Sequence, residues 1–598
     1  MPFLLPPFLL LVLGALTLPL FTARPVRAGL ALAFAILSLC NLMAIPEGIH
    51  FVLPFLGQEV ILAKVDKLSF LFGLIFHLAA IFGIVYAWES KDNTERVFAM
   101  LYAAAAQGVV FAGDMLSLFL FWESLTVCAA VIIWTRGDTM ARGAGFRYFL
   151  VHAVGGLLLL AGIVLRVHHT GSLAFGPIGL DSPGGLLIFL GFGVNAAWPL
   201  LHAWLPDAYP NASPTGTVFL SAFTTKGAVY VLARSFAGEE TLIWIGAIMA
   251  VFPLLYAMIE NDLRRTLAWC LINQVGFMMI GVGIGSELAI NGVCAHAFVH
   301  ILYKALLFMS AGAVLAKAGT CEATKLASMG GLARQMPWTF AFACAGVASI
   351  SVPLFCGFAG KSLIISATAE AHLSGVWMVL MFASAGVFLA GLRVLYVTFG
   401  QPSAPTSYQG LTVSEAPWGM RVGMALTAGA SLLVGFFPSA FYSLLPNVMD
   451  YHLYSAGHLV SQFQVLFFTG LAFLVMQRAG LLPAEIKGIN LDVDILYRRL
   501  ALLFYAAMDS LFNRFNAWCE ALVVDGLFAW LARVHDQAPW RFATWLLSPV
   551  LLVMPKDVRD GIRAEIRPAL ETATTPIGLT AFMTVAFLCV SIIMLLTA

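Results

Sequence analysis

Long apolar runs alternate with short polar turns along most of the chain. The runs fall at 3–21, 29–45, 67–88, 97–113, 115–135, 148–166, 184–199, 215–234, 241–259, 267–284, 287–315, 337–372, 375–399 and 417–440, with further candidates at 457–477 and 577–597. About 20 apolar residues carry a helix across the hydrocarbon core of a bilayer. The pattern therefore predicts an all-α, polytopic membrane protein. It has fourteen core transmembrane helices and a C-terminal extension with about two more. The first run has no Lys or Arg ahead of it and reads as a membrane helix, not a cleaved signal.

Two runs look broken. One holds Pro199, Pro206, Pro210 and Pro214 after Asn195; the other holds Pro353 and Gly357 before Lys361. Proline interrupts a helix because it removes a donor and crowds the preceding turn. Breaks at matching places in two halves are the mark of an inverted repeat around a midplane site. The spacing agrees: Asn195 to Lys226 is 31 residues and Lys361 to Arg393 is 32. Basic residues in short loops cluster after the odd-numbered runs (Arg24, Arg27, Lys91, Arg96, Arg136, Arg142, Arg264, Arg265, Lys317, Lys325, Arg334). The positive-inside rule makes those exits cytoplasmic and puts the N-terminus outside. Arg264 and Arg265 read as a cytoplasmic topology anchor.

The chain divides on this reading into N-terminal helices (1–96), a first repeat (97–234), a second repeat (241–400), C-terminal membrane helices (401–477), an amphipathic segment (478–576) and a terminal membrane helix (577–598). In 478–576 charged residues return among Leu, Phe and Trp, a pattern suited to a helix lying in the membrane interface. Pro539, Pro549 and Pro555 are expected to interrupt it. The alternative is a cytoplasmic linker with a short membrane helix.

Composition strengthens the membrane reading and narrows the chemistry. The 598 residues are 61% hydrophobic and 11% charged, with a net charge of +1, and the mean hydropathy is +0.92. That balance argues against a nucleic-acid partner. The nine cysteines are scattered with no CxxC pair, so neither an iron–sulfur cluster nor a zinc site is supported, and no cofactor is implied. The Gly281-Val-Gly283-Ile-Gly285 run follows a helix, not a strand, and reads as helix packing.

Against this background, ionisable residues inside apolar runs stand out. Placing one at the centre of a membrane helix costs about 2.5–3.5 kcal/mol or more, so it marks a functional site by default. His296, His300 and Lys304 are spaced i, i+4, i+8. They share one helix face over about 12 Å. Imidazole accepts a proton on one nitrogen and donates from the other, which suits a relay. A His-x3-His pair also suits zinc, but no third ligand stands in register. Glu123 lies inside the fifth run and Lys226 inside the eighth. Glu123 reads as a proton carrier or as a protonated packing residue, Lys226 as a proton carrier or as a counter-ion to Glu123. Lys361, beside the Pro353 break, is a terminal-site candidate or a lysine snorkelling to the surface. His202 and Asp207 fall in the loop after the first break, where Asp207 caps a helix start or joins a network at a channel mouth. Asn195 and Arg393 complete the candidates for support of a proton path.

These segments resemble the antiporter-like subunits shared by respiratory complex I, membrane-bound hydrogenases and Mrp-type multisubunit cation/proton antiporters. The resemblance is carried by Phe121-Trp-Glu123, Leu201-His-Ala-Trp-Leu-Pro-Asp-Ala208, Lys226, Asp262-Leu-Arg-Arg-Thr-Leu-Ala-Trp269 with Gln274-Val-Gly-Phe-Met278, His296 to Phe308, and Gly357-Phe-Ala-Gly-Lys361. It covers roughly residues 65–400 and implies fourteen core helices, two inverted five-helix repeats with broken seventh and twelfth helices, and a proton path along a central polar axis. By position it implies that Glu123 is the glutamate of the fifth helix, Lys226 the lysine of the eighth and Lys361 that of the twelfth. His296, His300 and Lys304 then form the polar stripe of the eleventh. The C-terminal segment resembles the lateral-helix extension of the longest such subunits. One position departs: where the family carries a lysine on the seventh helix, this chain has Asn195, which cannot take up a proton.

The resemblance implies a proton-translocating subunit of a Na+/H+ antiporter, similar to its D or A subunit, in the inner (plasma) membrane. Its expected partners are other membrane subunits, protons, a monovalent cation such as Na+, and lipid. The alternative is a pump subunit of complex I or a hydrogenase, in which the transporter subunit is part of a redox-driven translocase. A lone carrier of organic solutes fits less well, because nothing resembles a dedicated solute site.

Overall fold

The computed structural model describes residues 4–55, 57–400, 413–483 and 492–571, together with 584, 585, 587 and 588. They fall into two units, Met1–Asp492 and Val493–Ala598.

The first unit is a bundle of apolar helices. Among the described residues, twelve helices are long and apolar enough to cross a membrane, and Leu9–Leu20 and Gly185–Asn195 are shorter apolar helices. Each apolar run as far as 477 overlaps a helix. The ends are set by local chemistry. Asp114 accepts from the backbone N–H groups of Leu116 (2.9 Å) and Ser117 (2.8 Å), and Asp262 accepts from that of Arg265 at 2.9 Å. Asp66, Asp92, Asp138 and Ser286 cap other helices in the same way. These caps satisfy donors that a helix start leaves without partners. Gly171, Gly285 and Gly319 close three helices in the left-handed conformation, which costs glycine nothing.

Two isolated bridges tie these caps to distant loops. Asp114 pairs with Ala174, and Asp262 pairs with Glu322. Each bridge spans one helix hairpin: Met115–Trp134 with Thr139–Thr170, and Leu263–Ile284 with Glu287–Ala318. The sequence separation is the same in both.

Three features differ from the sequence reading. First, Gly48–Phe55 pairs antiparallel with Gln58–Val65, in a chain expected to be all helix. Their β-branched residues and the Gly57 turn (φ +76°) fit a short hairpin between two membrane helices. Second, the eighth run is broken as well, into Gly216–Ala222 and Thr224–Ser235 around Phe223. Third, the helix in the second unit is not interrupted at positions 539 and 549. It runs from Asp494 through a π-helical stretch at Glu520–Phe528 to Val553, and a further helix covers Lys556–Glu571. Only Pro555 marks an end: Met554 before it is extended (φ −83°, ψ 149°), as the residue preceding a proline tends to be. None of the side chains of Asp494–Cys519 is buried. The terminal helix expected at 577–598 lies outside the described residues except for 584, 585, 587 and 588.

The breaks expected near Asn195 and Pro353 are present. One helix stops at Asn195, and the next short helix is Trp204–Ala208; Pro337–Ser351 gives way to Cys356–Glu370. Ala197 (φ +56°), Leu200 (φ +72°) and Leu354 (φ +71°) occupy the left-handed region at these breaks. Side chains with a Cβ avoid that conformation, and such strain gathers at functional sites.

Candidate functional site

The Glu287–Ala318 helix is wrapped by its neighbours, and His296, His300 and Lys304 are all fully buried. The two imidazole centroids are 5.8 Å apart. None of their four ring nitrogens has a hydrogen-bond partner among the described residues. The Lys304 ammonium donates to the Leu267 carbonyl at 3.3 Å. Beside it, the Tyr303 hydroxyl donates to Gln274 Oε1 at 2.9 Å; Gln274 in turn donates to Asn273, and Asn273 to the Ala250 carbonyl. A polar chain thus crosses three helices in an apolar bundle.

Lys361 enters this row from the second break. Its ammonium donates to Ser351 Oγ at 3.0 Å and lies 5.6 Å from the centroid of the Phe277 ring, so it is buried and does not snorkel. Close packing brings its helix in. A Cβ on Gly360 would sit 2.7 Å from the His296 Cα, and only glycine permits that approach. His296 lies within electrostatic reach of Lys361 and Lys226, and His300 within reach of Lys226, Lys304 and Lys361. The structure therefore brings Lys226, His296, His300, Lys304 and Lys361 into one buried row.

Lys226 joins this row through the third break. It is fully buried, and its ammonium donates at 2.8 Å to the carbonyl of Ser221, across the interruption at Phe223. Lys226 and Lys361 are alike in this respect: each reaches back over a helix break to the segment before it. Glu123 stands apart. It is half-buried, forms no ion pair with Lys226, and has no hydrogen-bond partner for Oε1 among the described residues. Its carboxylate lies over Gly156, where an added Cβ would collide with Oε1. The counter-ion reading of Lys226 is corrected accordingly: the Ser221 carbonyl takes the place expected for the carboxylate. Asn195 is buried at the end of its helix, and neither amide atom has a protein partner among the described residues. The carbonyl beside it, Val194 O, accepts from Trp204 Nε1 at 2.9 Å.

The remaining candidates have structural partners. Asp207 accepts two hydrogen bonds from the Arg147 guanidinium, at 2.7 and 2.9 Å, so it holds an ion pair instead of capping a helix. His202 Nε2 donates to Asp492 at 3.2 Å. Arg393 donates to the Glu260 carbonyl at 3.1 Å, at the end of the Thr241–Ile259 helix. Arg264 is no surface anchor. It is buried and donates to the carbonyls of Pro210 and Ala212 and to Thr217 Oγ1; only Arg265 is partly exposed.

Four polar residues escaped the sequence reading. The Tyr102 hydroxyl and Thr224 Oγ1 share a hydrogen bond of 2.5 Å, Tyr148 reaches the same oxygen at 3.2 Å, and His152 stacks on Tyr148 with centroids 3.9 Å apart. A signal was present: Tyr148 and His152 are spaced i, i+4 in an apolar run, as His296 and His300 are.

Comparison with known proteins follows this geometry. Residues 112–390 match the family described as NADH:quinone oxidoreductase/Mrp antiporter, TM. A relative named NAD(P)H-quinone oxidoreductase chain 4 1, from a Synechococcus species, is 30% identical over 429 residues, covering 65% of this chain and 80% of the relative. The chain belongs to this family. The A subunit of the Na(+)/H(+) antiporter of Alkalihalophilus pseudofirmus is 28% identical over 437 residues, or 64% of this chain. The matched part is about half, 54%, of that relative's length. Among solved structures, a chain of the Mrp complex from Dietzia sp. DQ12-45-1b matches with a TM-score of 0.72 at 24% identity, over 88% of this chain and 62% of that one. That likeness concerns the fold. The antiporter-like family expected from the motifs is therefore the right one, and the chain is a polytopic membrane protein.

Proposed function

We propose that this chain is a proton-translocating subunit of a multisubunit Na+/H+ antiporter in the plasma membrane, working beside other membrane subunits. The observation that carries the reading is the buried row itself. Lys226, His300, His296, Lys304 and Lys361 share an apolar interior, and both imidazoles present two unpartnered nitrogens among the described residues. Buried polar atoms without partners are rare in folded proteins. In a membrane helix they cost more still, unless water or a travelling proton serves them. A neutral imidazole takes a proton on one nitrogen and releases one from the other. Each lysine uses one of its three donors on a carbonyl or hydroxyl, which leaves N–H groups for the row. No carboxylate fixes these ammonium groups as permanent ions among the described residues.

The test is dissipation of a pH gradient in vesicles containing the whole complex. Lys226→Ala and Lys361→Ala each lower proton flux at least tenfold while the complex still assembles. Near-wild-type flux in either variant removes that lysine from the path. A second reading, a pump subunit of a quinone-reducing complex, is favoured by the likeness to the Synechococcus relative. Affinity purification of the chain with its native partners separates the two: small antiporter subunits support the first reading, redox subunits the second.

A further inference from the structure

The first hairpin contains a polar stripe that the row above does not use. On the Thr139–Thr170 helix, Tyr148, His152 and Gly156 are spaced i, i+4, i+8 and so lie on one face. The Tyr148 hydroxyl reaches Thr224 Oγ1, two residues from Lys226. His152 is fully buried, and its Nδ1 sits 2.9 Å from the Tyr148 carbonyl. A carbonyl only accepts, so Nδ1 carries the hydrogen and Nε2 presents a bare lone pair. That Nε2 is buried and has no protein partner among the described residues. One turn further on, the place above Gly156 is filled by the Glu123 carboxylate. The stripe thus begins at the paired hydroxyls of Tyr148 and Thr224 and ends at Glu123. Trp204 fixes the imidazole from the side, with ring centroids 4.4 Å apart, and the same indole bonds to Val194 next to Asn195.

We infer that His152 is the proton-relaying group of the first half, in the place where Asn195 offers none. This rests on the proton-conducting reading above. A proton released from the Lys226 ammonium reaches the hydroxyls of Thr224 and Tyr148 through water, and these pass one on as they receive one. His152 Nε2 takes it up, keeping its Nδ1 hydrogen on the Tyr148 carbonyl. The imidazolium then gives the Nε2 proton to the Glu123 carboxylate. The balance is an ammonium and a carboxylate converted to an amine and a carboxylic acid, with His152 returned to its starting form. The last step spans one helical turn, about 5.4 Å, a gap that one water bridges.

Proton flux in vesicles with the assembled complex tests this with four variants. His152→Gln keeps the size and one hydrogen bond but does not titrate, and lowers flux at least tenfold. Asn195→Lys in the His152→Gln background restores a titratable group at the neighbouring break, and brings back at least a third of wild-type flux. More than half of wild-type flux in His152→Gln overturns the inference. So does a double variant that stays inactive while Asn195→Lys alone conducts, because His152 then serves structure and not relay. If His152→Gln does not assemble, Tyr148→Phe decides, since it removes only the hydroxyl that joins the stripe to Thr224. A tenfold fall supports the relay, and unchanged flux overturns it. A wild-type complex that moves no protons would instead sink the functional reading itself.

Discussion

The two bridged hairpins share one scaffold and differ in how they are charged. Each starts at an aspartate cap and closes through a bridge to the loop after its second helix. Counted from Asp114 and Asp262, Tyr148, His152 and Gly156 occupy the same positions as His296, His300 and Lys304. Glu123 likewise corresponds to Leu271. In the second hairpin the longer helix supplies its own cation, and its partner is apolar at the facing level. In the first hairpin the longer helix supplies only a hydrogen atom, at Gly156, and the partner helix fills the space with a carboxylate. The two hairpins therefore place opposite charges at equivalent levels. The difference also extends to the breaks, where Asn195 and Lys361 flank the same architectural interruption. Two hairpins bridged in the same way thus need not carry the same chemistry.

The sharpest way to break this comparison is at Lys304. Lys304→Met is expected to block proton flux in the assembled complex. Lys304→Arg also impairs it, because a guanidinium keeps its proton. The field that the proton crosses is worth about 2.3 kcal/mol per elementary charge for each 100 mV of membrane potential. Full flux in the arginine variant would make Lys304 a fixed ion, and the second half would then conduct by other groups. The counterpart is Gly156→Ala. The new methyl displaces the Glu123 carboxylate, and flux falls several-fold with assembly unchanged, since a flexible side chain moves at little cost. Unaltered flux would show that the carboxylate's position over helix 139–170 is incidental.

Asn195→Lys sharpens the comparison by making the first break resemble the second. It assembles, and the pH profile of transport shifts, because a new cation near Glu123 favours the carboxylate form. An unmoved profile would mean that position 195 does not face Glu123. The smallest effect belongs to the ion pair outside the row. Asp207→Asn is expected to cost about 1 kcal/mol of stability, read as a modest fall in melting temperature, with flux retained. A large loss of flux would move Asp207 into the path.

Much of this was legible because hydropathy and helical spacing report burial directly. The runs marked their helices, and the i, i+4, i+8 stripe on 287–318 placed three side chains on one inward face. Proline and positive-φ strain agree at the breaks after Asn195 and before Lys361. The break at Phe223 carries no proline or glycine and shows only in the structure, where Lys226 holds the Ser221 carbonyl across it. Arg264 was misplaced for a related reason. Charge near a helix end looks like a surface anchor until a loop is found folded over it. Hydropathy measures transfer from water, not which carbonyls lie within reach of a guanidinium. His152 was overlooked because a histidine near Tyr and Gly lacks the contrast that Lys304 gives to His296 and His300. The prolines at 539 and 549 show the limit of composition in the other direction, since the helix continues through both positions.

Arg264 also has a bearing on how the chain is made. The turn containing Pro210, Ala212 and Thr217 takes its donors from two guanidinium groups, that of Arg136 before it in the chain and that of Arg264 two helices later. Until the Leu263–Ile284 helix is in place, Arg136 alone of the two serves the Pro210 and Ala212 carbonyls. The loop that leads into Lys226 therefore gains its full set of donors only after the start of the second hairpin has docked. The buried row waits on later synthesis in the same way, since Lys304 and Lys361 follow Lys226 in the chain.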